Sequence, residues 1–442
     1  MVIKLPQEVR TILHTLQRAG YEAYAVGGCV RDSLLGRTPE DWDITTQAKP
    51  EETKALFSRT IDTGIQHGTV TVMMHGRGYE VTTYRVDGEY EDGRHPKEVA
   101  FTAELKEDLR RRDFTINAMA YNEEQGLVDA FGGKEDLKAG IIRCVGDPDE
   151  RFTEDALRIM RAVRFSAQLG FVIEERTKSA IRGHASRLSQ VSAERIQVEL
   201  TKLLVSPHPQ FLRTAWESGI TAQILPEFDR LMELRQNHEN HSYREGERTL
   251  CAMQAVRPER CLRLAMLLHD IGKPVCQDAD ERGNASHEGH ASVSASMARD
   301  ILKRLRYDNA TIELVCRLVT WHDAKIGLEK RAVRKAASKM GPDLFPLILE
   351  VKAADLAACR DERRQDEENS LERLKALWEE ISREGAPLTL KELAVTGSDL
   401  IRHGMKPGPA LGETLNALLE IVLEEPEKNT KEYLLANLPK ET

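Results

Sequence analysis

The spacing of apolar residues changes once along this chain of 442 residues, near residue 150. Before that point, short β-rich runs alternate with glycine turns and helical pieces. The β-rich runs read YEAYAV, WDITT, GTVTVMM and YEVTTYR. Beyond Phe152, successive segments repeat at the helical period. The change predicts an α/β domain with a mixed sheet and helices, followed by all-α domains.

Composition excludes several classes of protein. No run approaches the roughly 18 apolar residues that a membrane helix needs, and the amino terminus lacks the apolar stretch of a secretory signal. Seven cysteines, an odd number without a Cys-x-x-Cys pair, favour reduced packing residues over disulfides or a cysteine zinc site. We therefore expect a cytoplasmic protein without a membrane contact.

Charge is unevenly distributed along the chain. The whole sequence carries a net charge of −9, yet residues 161 to 213 hold nine Lys and Arg against four Glu, a local charge of +5. Such a stretch can neutralise the phosphates of a nucleic acid. A solvated helix face accounts for the same charge equally well.

Residues 27 to 43, GGCVRDSLLGRTPEDWD, combine three features that suit a nucleotide. The glycine pair lets the backbone approach a phosphate at a helix start, and Arg31 supplies a fork of donors. Asp41 and Asp43, two residues apart on a predicted strand, project from one face. Their carboxylates can hold a pair of divalent ions for an in-line phosphoryl displacement.

The order strand, glycine pair, helix with arginine and Asp-x-Asp resembles the nucleotidyltransferase head of the polymerase-beta superfamily. More narrowly, three segments resemble the bacterial class II tRNA nucleotidyltransferases, the CCA-adding enzymes. They are GGCVRDSLLGRTPEDWDITT, RRDFTINAMAY and EDALRIMRAVRFSAQLGF. The similarity continues through SAERIQVELTKLL and covers roughly the first 225 residues closely. It implies template-independent addition of CCA to the 3′ end of tRNA from CTP and ATP, with release of pyrophosphate.

The resemblance implies a role for each matching residue of the head. Two residues are implied to be catalytic and to bind two Mg²⁺ ions, Asp41 and Asp43. Five are implied to bind the nucleotide, with Gly28, Arg31 and Arg112 at the triphosphate and Asp113 and Asn117 at the ribose hydroxyls. A third carboxylate is expected on the neighbouring strand, and Glu80 is the candidate.

Four charged residues recur at intervals of three in the next segment: Asp155, Arg158, Arg161 and Arg164. On a helix they follow a slow spiral stripe that can line a pocket. A carboxylate that accepts from an exocyclic amine, beside a guanidinium that donates to a ring nitrogen, takes cytosine and adenine but rejects uracil and guanine. The resemblance assigns this template to Asp155 and Arg158, and the triphosphate to Arg161 and Arg164. The alternative is a salt bridge from Asp155 to Arg158, with the other arginines solvated.

Residues 84 to 101 have the polar, glycine-bearing composition of a mobile loop. They resemble the family's flexible loop, which argues against an enzyme that adds only CC. An enzyme that adds only the terminal A, or a poly(A) polymerase, remains the alternative. The arginine-rich signature of bacterial poly(A) polymerases is absent, since the chain reads IDTGIQHGTVTVM there.

The second half resembles an HD-type phosphohydrolase domain in LLHDIGK, GHASVSASMARDIL and LVTWHD. His269, Asp270, His290 and His322 lie in these segments. Arg248 occupies the position where the pattern expects the first histidine, and a permanent cation cannot bind a metal. The sequence therefore predicts a retained fold with weakened or absent hydrolase activity, and an HD phosphohydrolase is the less favoured main activity.

The predicted domains are a catalytic head (1–150), a helical neck for base selection and tRNA acceptor binding (151–225), an HD-like body (226–385) and a helical tail (386–442). The expected partners are tRNA, CTP and ATP.

Overall fold

A computed structural model describes residues 2–88, 99–238, 241–276, 278–279, 285–286, 288–358 and 364–438. The chain divides into two compact units, Met1–Pro226 and Glu227–Thr442. Most of the predicted mobile loop, residues 89–98, lies outside the described residues. Among the helices of the described ranges, none is both long and apolar enough to cross a bilayer.

The first unit contains the strands of a seven-stranded mixed sheet in the order β3-β4-β5-β2-β1-β8-β9. The sheet strands are β1 (Ala23–Val26), β2 (Asp43–Thr46), β3 (Thr60–Gly64), β4 (Thr69–Met74), β5 (Arg77–Thr83), β8 (Met119–Asn122) and β9 (Gly126–Asp129). Two further ladders pair β6 (Arg85–Asp87) with β7 (Val99–Phe101), and β10 (Ile141–Ile142) with β11 (Val172–Ile173). The four predicted strands are thus confirmed as β1, β2, β4 and β5.

Strand β1 lies inside the sheet, between β2 and β8, and all four of its residues are buried. It runs antiparallel to β2 and to β8, whereas β2 and β5 run parallel. A central strand covered on both faces reads as a continuous apolar run, as AYAV does. The parallel pair brings equivalent ends of β2 and β5 to the same edge of the sheet.

The helices of the first unit begin with α1, whose apolar stripe packs onto the sheet through buried Val9, Ile12, Leu13 and Leu16. The helices are α1 (Gln7–Arg18), α2 (Gly28–Leu34), α3 (Pro50–Leu56), α4 (Leu105–Arg110), α5 (Gly133–Ala139), α6 (Pro148–Glu154), α7 (Leu157–Leu169), α8 (Glu175–His184), α9 (Ala193–Leu204), α10 (Leu212–Glu217) and α11 (Thr221–Ile224). Helices α7 and α9 pack against each other and carry the predicted neck segments.

From residue 226 onward the described chain is mainly helical. The helices are α12 (Pro226–Glu233), α13 (Glu245–Ala255), α14 (Arg260–Leu268), α15 (His290–Arg304), α16 (Asn309–Trp321), α17 (Lys330–Met340), α18 (Phe345–Ala358), α19 (Arg364–Glu384), α20 (Gly397–Arg402), α21 (Pro409–Glu424) and α22 (Lys431–Ala436). Two short ladders pair β12 (Arg235–His238) with β13 (His241–Arg244), and β14 (Asp278–Ala279) with β15 (Ala285–Ser286). The predicted class, an α/β head followed by a helical remainder, is confirmed.

Candidate active site

A sharp turn joins β1 to α2 at the glycine pair. Gly27 adopts φ +83°, a backbone conformation that side chains rarely tolerate, and a Cβ there would lie 2.8 Å from Arg112 Nη1. Gly28 is the first residue of α2. The turn therefore places the start of α2 beside the Arg112 guanidinium, as the predicted phosphate site requires.

Asp41 and Asp43 project to the same exposed side at the start of β2. Asp43 is the first residue of the strand, whereas Asp41 precedes it, which corrects the prediction that both lie on the strand. Both aspartates are exposed, while the intervening Trp42 and the following Ile44 are buried. The alternation of an extended chain thus keeps the two carboxylates on one side.

Glu80 joins this pair through the parallel register of β2 and β5. Because Ile44 pairs with Val81, Glu80 lies on β5 beside Asp43 on β2. Partial desolvation by the surrounding protein, followed by the charges of Asp43 and Asp41, raises the pKa of Glu80. The three carboxylates therefore form a concentration of negative charge that a divalent cation can relieve.

The pKa of Asp43 is also raised. Partial desolvation of the carboxylate by the surrounding protein is the largest cause, the Arg112 guanidinium opposes it, and Asp41 adds to it. Arg112 itself has a buried Nε without a hydrogen-bond partner, and burial lowers its pKa. A buried donor without a partner is costly, so this guanidinium suits an anionic ligand held next to the carboxylates.

Four of the predicted nucleotide-binding residues form one hydrogen-bonded chain. Arg31 Nη1 donates to Asn117 Oδ1 at 2.7 Å, and Asn117 Nδ2 donates to Asp113 Oδ1 at 3.2 Å. Arg161 Nε and Nη2 donate to Asp113 Oδ2 at 2.8 and 2.5 Å. Burial alone would raise the pKa of Asp113, but the Arg161 charge and hydrogen bonds hold it well below its usual range. The network fixes an ionised carboxylate inside the head.

Asp155 and Arg158 each have protein partners other than one another. Asp155 lies between α6 and α7 rather than on the helix, which corrects the prediction of a four-residue helical stripe. Its Oδ2 accepts from Arg195 Nη2 at 2.7 Å, and its Oδ1 accepts from the Leu157 amide at 3.0 Å. Arg158 forms an ion pair with Glu154, and its Nη2 donates to a backbone carbonyl at 2.9 Å. These contacts differ from the alternative of a salt bridge between Asp155 and Arg158.

Arg161 and Arg164 converge on Glu199 of α9. Arg164 is buried, and its Nε donates to Glu199, so the alternative in which it is solvated is wrong. The guanidinium carbons of three arginines lie near the Phe165 ring centroid, Arg31 at 5.1 Å, Arg161 at 5.3 Å and Arg164 at 3.7 Å. Cations over an aromatic face are attracted to its ring. Phe165 thus packs among three arginines that are predicted to bind the triphosphate.

Sequence reasoning missed Arg195 and Glu199, the two α9 residues that hold the α6–α7 region. The signal for Glu199 is its position on the apolar face of α9, three residues after buried Ile196 and four before buried Leu203. A charged residue on such a face requires a partner. Glu199 also lies one helical turn after Arg195, so the two charged side chains lie on the same side of α9.

The second unit brings together the predicted HD-like residues. His269 Nε2 lies 3.1 Å from Asp270 Oδ2, and His290 Nε2 lies 3.2 Å from Asp270 Oδ1. His322 Nε2 lies 3.6 Å from the same Oδ1 atom. Arg248 forms an ion pair with Asp355 at 2.7 Å. The predicted replacement of a ligand by Arg248 therefore places a permanent cation beside this cluster.

Three families match successive parts of the chain. Residues 23–143 match the Poly A polymerase head domain, and residues 170–232 match the RNA- and SrmB-binding site of polymerase A. Residues 289–438 match domain 2 of the tRNA nucleotidyltransferases. The first match holds the glycine turn and the three carboxylates, and the second holds Arg195 and Glu199.

A relative that matches along nearly its whole length identifies which of the families with this head domain the chain belongs to. A CCA-adding enzyme of Levilactobacillus brevis is 38% identical over 98% of this chain and 98% of its own length. The chain belongs to the CCA-adding enzymes. The CCA-adding enzyme of Leuconostoc mesenteroides is 55% identical over 46% of this chain and 52% of its own length. The predicted family and its enzyme class, nucleotidyltransferase, are confirmed.

Solved CCA-adding enzymes share the fold. The crystal structure of the Bacillus stearothermophilus CCA-adding enzyme in complex with CTP is 33% identical, with a TM-score of 0.74, and covers 97% of this chain and 95% of that one. The Thermotoga maritima CCA-adding enzyme complexed with tRNA_CCA is 20% identical, with a TM-score of 0.57, and covers 98% and 95%. At that identity, the Thermotoga structure supports the fold alone.

Proposed function

We propose that this enzyme adds C, C and A to the 3′ end of tRNA from CTP and ATP, with Mg²⁺ at Asp41 and Asp43 and with release of pyrophosphate. The observation that carries the proposal is the match to a CCA-adding enzyme along 98% of both chains. The CTP complex of the Bacillus stearothermophilus relative supports the choice of a nucleotide substrate. The cytoplasm, where tRNA is processed in bacteria, is the proposed location.

The acidic edge of the sheet is the proposed site of two Mg²⁺ ions. Asp41, Asp43 and Glu80 offer only oxygen ligands, which Mg²⁺ prefers, and the mutual repulsion of their charges favours a bound cation. When bound, such ions lower the pKa of an attacking hydroxyl and stabilise a leaving pyrophosphate. Gly28, Arg31 and Arg112 are proposed to bind the triphosphate, and Asp113 and Asn117 the ribose hydroxyls.

Asp155 and Arg158 are proposed to select the base, with Arg161 and Arg164 close to the triphosphate. Both template side chains are held by protein contacts, Asp155 by Arg195 and Arg158 by Glu154. Fixed groups favour one hydrogen-bonding pattern over another, because a mismatched base leaves buried donors and acceptors unpaired.

We propose that the catalytic head, the neck, the HD-like body and the tail correspond to the predicted domains 1–150, 151–225, 226–385 and 386–442. The basic stretch 161–213 is proposed to contact the phosphates of the tRNA acceptor stem by shape. The exposed Arg182 and Lys202 of this stretch are available for such contacts.

The test offers labelled CTP and ATP, singly and together, to tRNA ending at the discriminator, at CC and at CCA. We expect addition of CC from CTP alone, addition of A to the CC substrate, and no growth beyond CCA. Asp41→Asn and Asp43→Asn should each abolish incorporation, whereas exposed Glu124→Gln serves as the acidic control. Activity on the CC substrate alone would indicate an A-adding enzyme, and growth beyond CCA a poly(A) polymerase.

A further inference from the structure

The Phe165 ring joins two elements of the nucleotide site. Phe165 lies in the second half of α7 and is buried, with 5% of its surface exposed. It follows Arg161 by four residues, so helix geometry places these two side chains next to each other. Arg31 approaches the same ring from α2, which begins at the glycine turn. The ring is therefore a contact between α7 and the predicted triphosphate turn.

The hydrogen-bonded chain of the head begins and ends at this ring. Its ends are Arg31 and Arg161, and Asn117 and Asp113 join them through bonds of 2.5 to 3.2 Å. The guanidinium carbons of the two ends lie 5.1 and 5.3 Å from the ring centroid. Both distances are within the range at which a ring face attracts a cation. The ring thus closes the chain and fixes the two arginines relative to each other.

Neighbouring side chains hold the Phe165 ring in place. Phe114 is fully buried and packs edge-on against it, with centroids 5.8 Å apart and ring planes at 80°. The Arg164 guanidinium carbon lies 3.7 Å from the ring centroid, and Glu199 in turn holds Arg164. A ring with these contacts offers a fixed surface to the two arginines at the ends of the chain.

Repulsion between the three guanidinium groups opposes this arrangement. Burial lowers the pKa of Arg164, Glu199 opposes that shift, and the charge of Arg161 adds to it. A saturated side chain would separate the cations without attracting them, whereas the negative face of an aromatic ring does both. The position therefore favours an aromatic residue over an aliphatic residue of similar size.

We propose that Phe165 is a positioning residue for nucleotide binding, which holds Arg31 and Arg161 in the orientation that receives the triphosphate. This inference rests on the proposed function, because it takes these two arginines as triphosphate contacts. Both CTP and ATP carry the triphosphate, so Phe165 acts equally on the two substrates. The predicted base template is held by other contacts, from Arg195 and Glu154, and base choice is therefore independent of this ring.

The test measures kcat and KM for CTP on tRNA ending at the discriminator, and for ATP on tRNA ending at CC. Phe165→Leu keeps an apolar side chain but removes the ring face. We expect KM to rise about tenfold for both nucleotides. The change in kcat should be much smaller, because a contact made equally to substrate and transition state affects KM alone. Phe165→Tyr keeps the ring and should restore most of the affinity.

Inorganic tripolyphosphate with Mg²⁺ isolates the triphosphate contacts from those to the base and the ribose. Its inhibition constant against CTP should rise in Phe165→Leu by the same factor as KM. Phe165→Met also lacks a ring and should behave as Phe165→Leu does, so it provides the same comparison if the leucine variant does not fold. The matched control is Phe131→Leu, because Phe131 packs against the apolar core of the head, and both of its KM values should equal those of the parent.

Thermal unfolding of each variant separates a loss of fold from a loss of affinity. A merely structural role for Phe165 predicts fewer active molecules, and hence a lower kcat with an unchanged KM. That result, an unchanged inhibition constant for tripolyphosphate, or the same rise in KM for folded Phe165→Tyr as for Phe165→Leu would overturn the proposal. Failure of the proposed function is distinguishable, because the parent itself would then not add CCA.

Discussion

Arg195 offers a direct test of how the base is selected, because it holds the predicted template carboxylate without belonging to the predicted template. Its Nη2 lies 2.7 Å from Asp155 Oδ2, and the two side chains are 21% and 17% exposed. In Arg195→Ala, Asp155 keeps the bond from the Leu157 amide but loses the guanidinium. Rotation of the carboxylate then becomes easier, and its pairing orientation is less populated.

The expected change in base selectivity can be estimated from the hydrogen bond that is lost. A hydrogen bond to a charged group contributes about 1.5–3 kcal/mol, and partial exposure of both partners places this one near the lower value. At about 1.4 kcal/mol per factor of ten, the preference for CTP over UTP should fall about tenfold. We therefore expect Arg195 to act as a positioning residue, whose loss should change selectivity more than the binding of tRNA.

The assay determines kcat/KM for CTP and for UTP separately, on tRNA ending at the discriminator. Arg195→Lys should recover part of the preference, because an ammonium can still reach a carboxylate. Lys202→Ala removes a positive charge from an exposed position on the same helix and should leave the ratio unchanged. A CTP to UTP ratio equal to that of the parent in folded Arg195→Ala would refute this reasoning.

Three further outcomes are expected. Glu80→Gln should lower kcat on the order of 10- to 100-fold, because it removes a carboxylate beside Asp43; an unchanged kcat in incorporation assays would contradict this. Asp113→Asn should lower the free energy of unfolding at pH 7 by about 2–3 kcal/mol, because it breaks the ion pair with Arg161. This is less than the loss of a fully buried ion pair costs, since the Arg161 side chain is a third exposed. The folded pKa of Asp113 lies below its unfolded value, so this contribution is present above about pH 4 and fades as the pH falls; urea unfolding should show a parent and variant that converge in acid. Iodoacetamide at pH 8 should label exposed Cys251 well before buried Cys29, because burial raises the pKa of Cys29 to about 12. Peptide mass spectrometry measures the order of labelling, and labelling of Cys29 first would contradict this prediction.

Local patterns predicted the elements that carry the site. The strand before the glycine pair, the helix after it and the amphipathic α7 and α9 each follow from the spacing of apolar residues within one segment. Glu80 could be proposed because its strand was recognisable and neighbouring strands supply catalytic carboxylates in the resembling family. Its place beside Asp43 depends on the parallel register, which no single segment specifies.

The ion pairs could not be predicted in the same way. Arg161 reaches Asp113 across 48 positions of sequence, and Arg195 reaches Asp155 across 40. Such pairs are decided by how α7 and α9 rotate as their apolar faces pack, and each arginine has several acidic residues within reach of its sequence position. Regular spacing suggested a stripe from Asp155 onward, but the break between α6 and α7 removes Asp155 from the helix.

Gly27 has a consequence for how this chain can vary. Any other residue there would meet both an unfavourable backbone angle and the Arg112 guanidinium. Gly20 also has a positive φ, yet open space surrounds it. In a saturation library selected for activity, substitutions at Gly20 should survive at reduced fitness, whereas position 27 should return glycine alone.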